Sequence, residues 1–416
     1  MNSLNRIELN SLKVINNKVC YNYSVSGEWT KYFNLQTEFF VQYNENISNV
    51  PTSILAIPFI SNILPIAWLC DANIYVKELD SDFFYSIHEF KKGYINMYPM
   101  LTFGGSIEVA EVINHKKSNL KRKAVFFSGG VDAFSTLITH IEKKPLLVTL
   151  WGADIDLSDV DGWNKNWANI KRNAADLDLE CAFIKTSFRK FINMKWLGRK
   201  VKKTKGGWWY GFQHGIGIIS HIAPIAYLKG IDLSYIASSF TRGDKVTCAS
   251  DPSIDNHIQF CGSKVFHDGY DFDRQDKINV ISKFIKKNKR NLHLHVCWKS
   301  SGGENCCRCE KCFRTITGLL LAKQNPSDLG FIHWQKYNSS NINFIKRRLT
   351  MSNHTIKFWV RFPEIFRRNK ENHPFFQYIE WLDDMDFNKI NQPLIKRLFL
   401  LNDLARKIIT RANKIS

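Results

Sequence analysis

From residue 122 onward, short apolar runs alternate with longer stretches of helical period, and this alternation directs the chain toward a parallel α/β sheet. The strand candidates are Ala124–Phe127, Leu146–Leu150, Cys181–Lys185, Leu233–Ala237 and Leu292–Val296. Helical stretches at Phe134–Ile141, Trp163–Leu177 and Gly215–Lys229 lie between them. Sheets of this kind bind ligands beyond the carboxyl ends of their strands. Functional side chains are therefore expected just after each strand.

The flanks read differently. Residues 1–121 are mixed and strand-rich, with strands expected at Lys18–Ser26, Glu38–Tyr43 and Asn73–Lys77 and a helix from Asp80 to Tyr98. The apolar segment Ile54–Cys70 is interrupted by Pro58, Asn62 and Pro65 and is short for a bilayer span. It is expected to be buried core, with no membrane insertion. Three regions follow: an N-terminal α+β domain over residues 1–121 without a catalytic constellation, a core domain over 122–325, and a helical C-terminal cap over 326–416. The cap is marked by Trp334, Trp359, Phe375, Phe376 and Trp381.

A net charge of +20 raises the question of nucleic acid. The densest basic segment, Lys200-Val-Lys-Lys-Thr-Lys205, could meet phosphates. The plainer account is a lysine-rich chain whose solvated faces carry the charge, so nucleic acid is not the favoured partner. The opening Met1-Asn-Ser-Leu-Asn-Arg-Ile-Glu8 has no apolar signal core, and a cytoplasmic location is expected.

Two motifs carry chemistry. Ser128-Gly129-Gly130-Val131-Asp132 leaves a buried strand and opens a helix. Two glycines allow a tight turn in which successive N–H groups converge on an anion, and the helix N-terminus adds positive potential. Ser128 can give a hydroxyl to a phosphate oxygen, and Asp132 can orient the loop or reach a Mg2+ held by phosphates. A Walker A loop would end in Gly-Lys-Ser/Thr, which is absent.

The second motif is Cys297, Cys306, Cys309 and Cys312, spaced C-x8-C-x2-C-x2-C. Five of the ten cysteines fall in this short stretch, which points to metal in a reducing compartment and not to disulfides. Four sulfurs make a closed, structural zinc shell with no open catalytic position. Cys307 could replace Cys306 as a ligand or be a spare thiol.

The loop resembles the PP-loop of the ATP pyrophosphatase superfamily, whose pattern is SGGxDS; this chain departs from it at Ala133. Loop and cysteines together resemble the QueC-type 7-cyano-7-deazaguanine synthases. They are also similar to larger, QatC-like members found in antiphage and surface-polysaccharide gene clusters. The QueC pattern adds an arginine after the cysteines, Arg314 here, and usually has glycine where this chain has Cys307. The resemblance covers residues 122–325. It implies an adenine nucleotide alpha hydrolase-like core that uses ATP, Mg2+ and Zn2+. It also implies a reaction in which a carboxylate, such as a 7-deazaguanine, attacks the α-phosphate of ATP and releases pyrophosphate. Ammonia or another amine then displaces AMP to form an amide, and a second round yields a nitrile. A protein partner from the same gene cluster is a further implication.

Holding the separating phosphates requires nearby cations. Arg242 and Lys245 follow the Leu233–Ala237 strand, and Lys277 opens a helix where the QueC pattern has a lysine. Asp132, Arg242 and Lys277 are thus the expected catalytic residues, with Ser128, Gly129, Gly130, Val131 and Asp132 binding nucleotide. His214 and His267 stand at helix starts and are expected to be structural. Asp251-Pro-Ser-Ile-Asp255 lies where QueC enzymes carry a substrate-facing Pro-Asp-Cys-Arg, and the arginine is absent. Two other readings stand beside the ligase. One is a PP-loop tRNA modifier, for which Cys248 and Cys261 are too isolated to carry sulfur. The other is a catalytically silent nucleotide-binding partner, which Ala133 would suit.

Overall fold

The computed structural model describes residues 5–115, 120–204, 206–244, 246–297, 303–347 and 353–387. Lys205, Lys245 and residues 388–416 of the expected cap lie outside them. The chain forms two compact units, Met1–Asp271 and Phe272–Ser416.

The first unit is built on one sheet of eleven strands. These are β1 (Arg6–Ile15), β2 (Lys18–Val25), β3 (Phe40–Tyr43), β4 (Asn73–Asp80), β5 (Ser106–Ile113), β6 (Arg122–Phe126), β7 (Leu146–Trp151), β8 (Cys181–Thr186), β9 (Ile231–Ala237), β10 (Gln259–Phe260) and β11 (Ser263–Asp268). Their order is β10-β11-β9-β6-β7-β8-β3-β2-β1-β4-β5. The run β11-β9-β6-β7-β8 is parallel throughout. β6 comes first in the chain yet lies at the centre of this run. The chain moves outward through β7 and β8, then returns to the far side of β6 for β9 and β11. Such a reversal opens a crevice at the carboxyl ends of the two central strands, here β6 and β9.

β8 then pairs antiparallel with β3, with Val41 opposite Thr186 and Tyr43 opposite Ile184. This pairing carries the sheet into β2, β1, β4 and β5. The boundary expected at residue 121 therefore lies between β5 and β6 of one continuous sheet.

Helices cover the sheet: α1 (Ile57–Cys70), α2 (Ser81–Met97), α3 (Val131–Thr139), α4 (Val160–Asp176), α5 (Met194–Lys200) and α6 (Ala223–Lys229). α1 is the expected core segment, and every one of its residues is buried. Pro58 sits in its first turn, where no intrahelical N–H is lost. Asn62 is satisfied inside the core: its Nδ2 donates to the Pro58 carbonyl at 2.8 Å, and its Oδ1 accepts from Gln213 Nε2 at 2.9 Å. No helix among the described residues is long and apolar enough to cross a membrane. α2 buries Phe83, Ile87, Phe90 and Tyr94 along one stripe and starts at Asp80, whose carboxylate accepts from the Phe83 N–H at 2.9 Å. A cap of this kind is worth about 1 kcal/mol.

The expected long helix over Gly215–Lys229 is broken. A π-helical turn, Trp209–Gln213, precedes a short helix at Ile216–Ile219, a 3₁₀ turn at Ser220–Ile222 and then α6. Gly215 explains the first break, since its φ of +95° is closed to L side chains.

Among its described residues the second unit is helical, with α7 (Arg274–Asn288), α8 (Glu310–Leu321), α9 (Trp334–Arg347) and α10 (Phe362–Asn369). The strand expected at Leu292–Val296 is absent. Its backbone is held by other groups: Leu294 N–H donates to the Leu329 carbonyl at 3.1 Å, and Val296 N–H donates to Asn305 Oδ1 at 2.9 Å. The fifth parallel strand is β11, outside the strands expected from the sequence. The C-terminal aromatics pack on α8, with the Phe313 ring 5.7 Å from Trp359 and 5.9 Å from Trp381.

Candidate functional site

The Ser128–Asp132 loop leaves the central strand β6 at the reversal of strand order. Its entry is fixed by β7, where Phe127 N–H donates to the Val148 carbonyl at 2.8 Å and Thr149 Oγ1 donates to the Phe127 carbonyl. Gly129 then turns with φ +77°, a conformation that favours glycine. Gly130 N–H reaches Ser128 Oγ at 3.4 Å, and Ser128 itself is exposed. Gly130 is the N-cap of α3, and no side chain caps this helix. By contrast Asp80, Asp159 and Asn193 cap α2, α4 and α5 through their side chains. The first-turn N–H groups of α3 have no intrahelical acceptors, which is the chemistry that binds an anion. Ala133 is buried beneath this turn.

One wall of the site comes from the 208–214 segment. Tyr210 is half-buried and its hydroxyl is pushed well up, first by burial, then by Cys248, Asp132 and Asp154. The loop acid Asp132 and Asp154, which follows β7, thus both act on this hydroxyl. The Tyr210 ring stacks on His214 at 5.8 Å. Burial lowers the His214 imidazole, so it is neutral near pH 7, against the pull of Asp154 and Asp255. Arg189, just after β8, lies 4.0 Å over the Trp209 ring and donates to the Ala153 carbonyl. Asp154 and Asp156 act on its guanidinium.

The N-terminal strands and helices brace this wall. Tyr94 Oη donates to the Phe212 carbonyl at 2.9 Å, Tyr98 Oη to Gly211 at 2.8 Å and Tyr43 Oη to His221 at 3.1 Å. Each such bond contributes about 1 kcal/mol. The block without a catalytic constellation of its own thus positions Tyr210 and His214. A π-helical turn of the kind at Trp209–Gln213 is frequent at functional sites.

The expected catalytic residues fall in different places. Asp132 is half-buried in the first turn of α3. Arg242 follows β9 on the same carboxyl edge, but its side chain is 75 % exposed and its Nε donates to Asp271 Oδ1 at 2.8 Å. Lys277 is buried on α7 in the second unit. Asp255 is wholly buried, and its Oδ2 meets buried His267 Nδ1 at 2.8 Å and accepts from Ser250 Oγ at 2.8 Å. Asp251 caps the short turn at Pro252–Asp255. Cys248 is less isolated than its place in the sequence suggests, with Sγ 3.9 Å from His214 Nδ1, yet burial pushes its thiol up to about 12. It rests as a thiol, poorly suited to nucleophilic chemistry. Arg189, Asp154 and Tyr210 were outside the sequence expectation. The strand-end rule, applied to β7 and β8 as well as β9, points to the first two.

In the second unit the sulfurs of Cys297, Cys306, Cys309 and Cys312 all lie within 4.8 Å of one another. Cys309 N–H donates to Cys306 Sγ at 3.3 Å, and Cys312 N–H donates to Cys309 Sγ at 3.4 Å. These backbone N–H groups favour thiolate at Cys306 and Cys309. Hydrogen bonds within the cluster split the thiols, holding Cys297 far below the ordinary range, through Cys306 first, and Cys312 far above it, through Cys297 first. Four sulfurs this close cannot all be thiolates without a cation among them. The donor set is that of a closed zinc site, and the group could hold such an ion.

Cys307 is not in the cluster. Its thiol faces the Asn305 carbonyl at 3.4 Å, and burial pushes it up to about 11. Its backbone has φ +53°, which explains why glycine suits this place in the knuckle.

No protein-family model matches the chain, and no curated protein or solved structure matches it either. Fold and site define an α/β protein with a mostly parallel sheet, an uncapped glycine-loop helix and a four-cysteine group.

Proposed function

We propose that the chain is an ATP-dependent adenylating ligase of the PP-loop, QueC-like kind. The observation that carries this reading is the entry into α3. Ser128-Gly129-Gly130 leads from the central strand into a helix without a side-chain cap, at the reversal of strand order. In this reading the loop and the α3 N–H groups hold the β- and γ-phosphates, and Asp132 orients the loop or a Mg2+.

The substrate carboxylate oxygen attacks the α-phosphorus, and the bond from that phosphorus to the bridging oxygen of pyrophosphate breaks. An amine nitrogen then attacks the acyl carbon, AMP leaves, and the nitrogen loses a proton. In this reading Arg189 supplies positive charge near the site, and His214, kept neutral by burial, accepts that proton. The cysteine group would hold zinc as a structural ion and takes no part in these steps.

The test is release of AMP and pyrophosphate from ATP with a 7-deazaguanine carboxylate and ammonia. Asp132→Ala should abolish AMP formation while circular dichroism stays unchanged; retained turnover would sink the assignment. A silent nucleotide-binding partner is the second reading. It is favoured by Ala133 at the serine position and by Arg242 engaged with Asp271 at the surface. ATP binding without turnover across carboxylates and amines would establish it.

A further inference from the structure

From Cys181 to Ile231 the chain contains no aspartate or glutamate. Within that stretch α5 and the 3₁₀ turn Lys202–Thr204 hold Lys195, Arg199, Lys200, Lys202 and Lys203, all of them exposed. None of the five has an acidic partner among the described residues. The 3₁₀ segment Gly27–Tyr32, packed against α5, carries Glu28 and Lys31, which pair with each other at 3.8 Å and add no net charge.

An aromatic lies among the cations. Leu197 and Val201 point inward and anchor α5. Trp196 points outward and is 42 % exposed, the one exposed tryptophan among the described residues. The Arg199 guanidinium stands 4.6 Å from its ring centroid. An exposed indole costs solvation that a monomeric surface ordinarily avoids, and a flat ring beside unpaired cations is a base-stacking platform. Gly206 and Gly207 follow, and a side chain at Gly207 would meet open space. The chain then enters Trp208–Tyr210, the wall of the loop site.

We propose that this face binds single-stranded nucleic acid, with phosphates on the five cations and a base stacked on the Trp196–Arg199 pair. The proposal goes beyond the ATP reading and does not depend on it. An acidic protein surface would satisfy the cations but leave the indole unused. A duplex keeps its bases stacked inside and cannot offer one to Trp196.

Fluorescence anisotropy of labelled twenty-nucleotide oligo-dT and oligo-U with the full chain tests it. Five phosphate contacts predict a slope of log affinity against log salt of about −3.5. Trp196→Ala should weaken binding by about tenfold or more, Trp196→Phe should retain most of it, and Arg199→Gln should give an independent loss. Paired reversal, Lys200→Glu with Lys203→Glu, should remove binding at 0.15 M salt. Unchanged affinity in the reversal variant would overturn the proposal. So would equal binding of duplex DNA or poly-glutamate with no effect of Trp196→Ala, which would assign the face to acidic partners in general.

Discussion

Nδ1 of His267 lies 2.8 Å from Oδ2 of Asp255, and neither side chain reaches solvent. The pair ties the 251–255 turn to the end of β11, the strand absent from the sequence expectation. Asp255 therefore holds its Oδ2 inside the fold, on His267 and Ser250. Breaking such a pair leaves a buried polar group unpartnered. Asp255→Asn or His267→Leu alone should destabilise the first unit by about 3 kcal/mol or more, read by urea denaturation.

Gly129 turns the Ser128–Asp132 loop with φ +77°. Gly129→Ala forces an L side chain into that region at a cost of about 1–2 kcal/mol. Isothermal titration should show ATP affinity falling by about tenfold or more, with far-ultraviolet circular dichroism unchanged. Equal affinity in the variant would mean that ATP does not use this turn.

Arg189 is held in place by Trp209 and the Ala153 carbonyl. If it stabilises charge that develops on the phosphates, Arg189→Ala should slow AMP formation by about 100-fold. Arg242→Ala should have a smaller effect, because its partner is the exposed Asp271. Comparing the two rates under saturating ATP decides which cation serves the loop.

The cysteine group predicts a metal stoichiometry. Plasma emission spectroscopy should find one zinc per chain, and Ser at Cys297, Cys306, Cys309 or Cys312 should abolish it. Cys307→Gly should leave zinc unchanged, since its thiol faces Asn305 and its φ of +53° suits glycine.

Burial holds the His221 imidazole down at about 3, and its Nε2 meets Thr186 Oγ1 at 3.0 Å. The folded value lies below the unfolded one, so the unfolded chain binds the proton first. Stability is complete above about pH 6.5 and falls as pH drops, at up to ~1.4 kcal/mol per pH unit. Below about pH 4.5 protonating carboxylates add their own loss. Urea midpoints between pH 8 and 5 should fall in the natural chain. The fall should be shallower in His221→Gln, which begins from lower stability at pH 8.

The loop and the cysteines are legible in sequence because their chemistry depends on short covalent spacing. Ser128 to Asp132 spans one turn, and each C-x2-C step brings two sulfurs back together within three residues of chain. Four of the five core strands are legible for a related reason, as apolar runs bounded by polar ones. Leu292-His-Leu-His-Val296 has the same alternation, yet its backbone is claimed by Asn305, a partner no local pattern announces. The wall residues Tyr210 and His214 are harder still. Their segment is held by Tyr94 and Tyr98, which lie far away in sequence and read as ordinary core aromatics.

The antiparallel step from β8 to β3 has a consequence for how this chain can be dissected. β8 closes one flank of the parallel run, and without β3 its backbone donors and acceptors would be an open edge, an invitation to pair with a neighbouring molecule. A fragment beginning after residue 120 would carry the glycine loop and the cysteines yet expose that flank, and would also lose the tyrosines that hold the 208–222 segment. The N-terminal strands are thus an intrinsic guard against self-association. A piece that contains the loop and keeps this flank paired must include them.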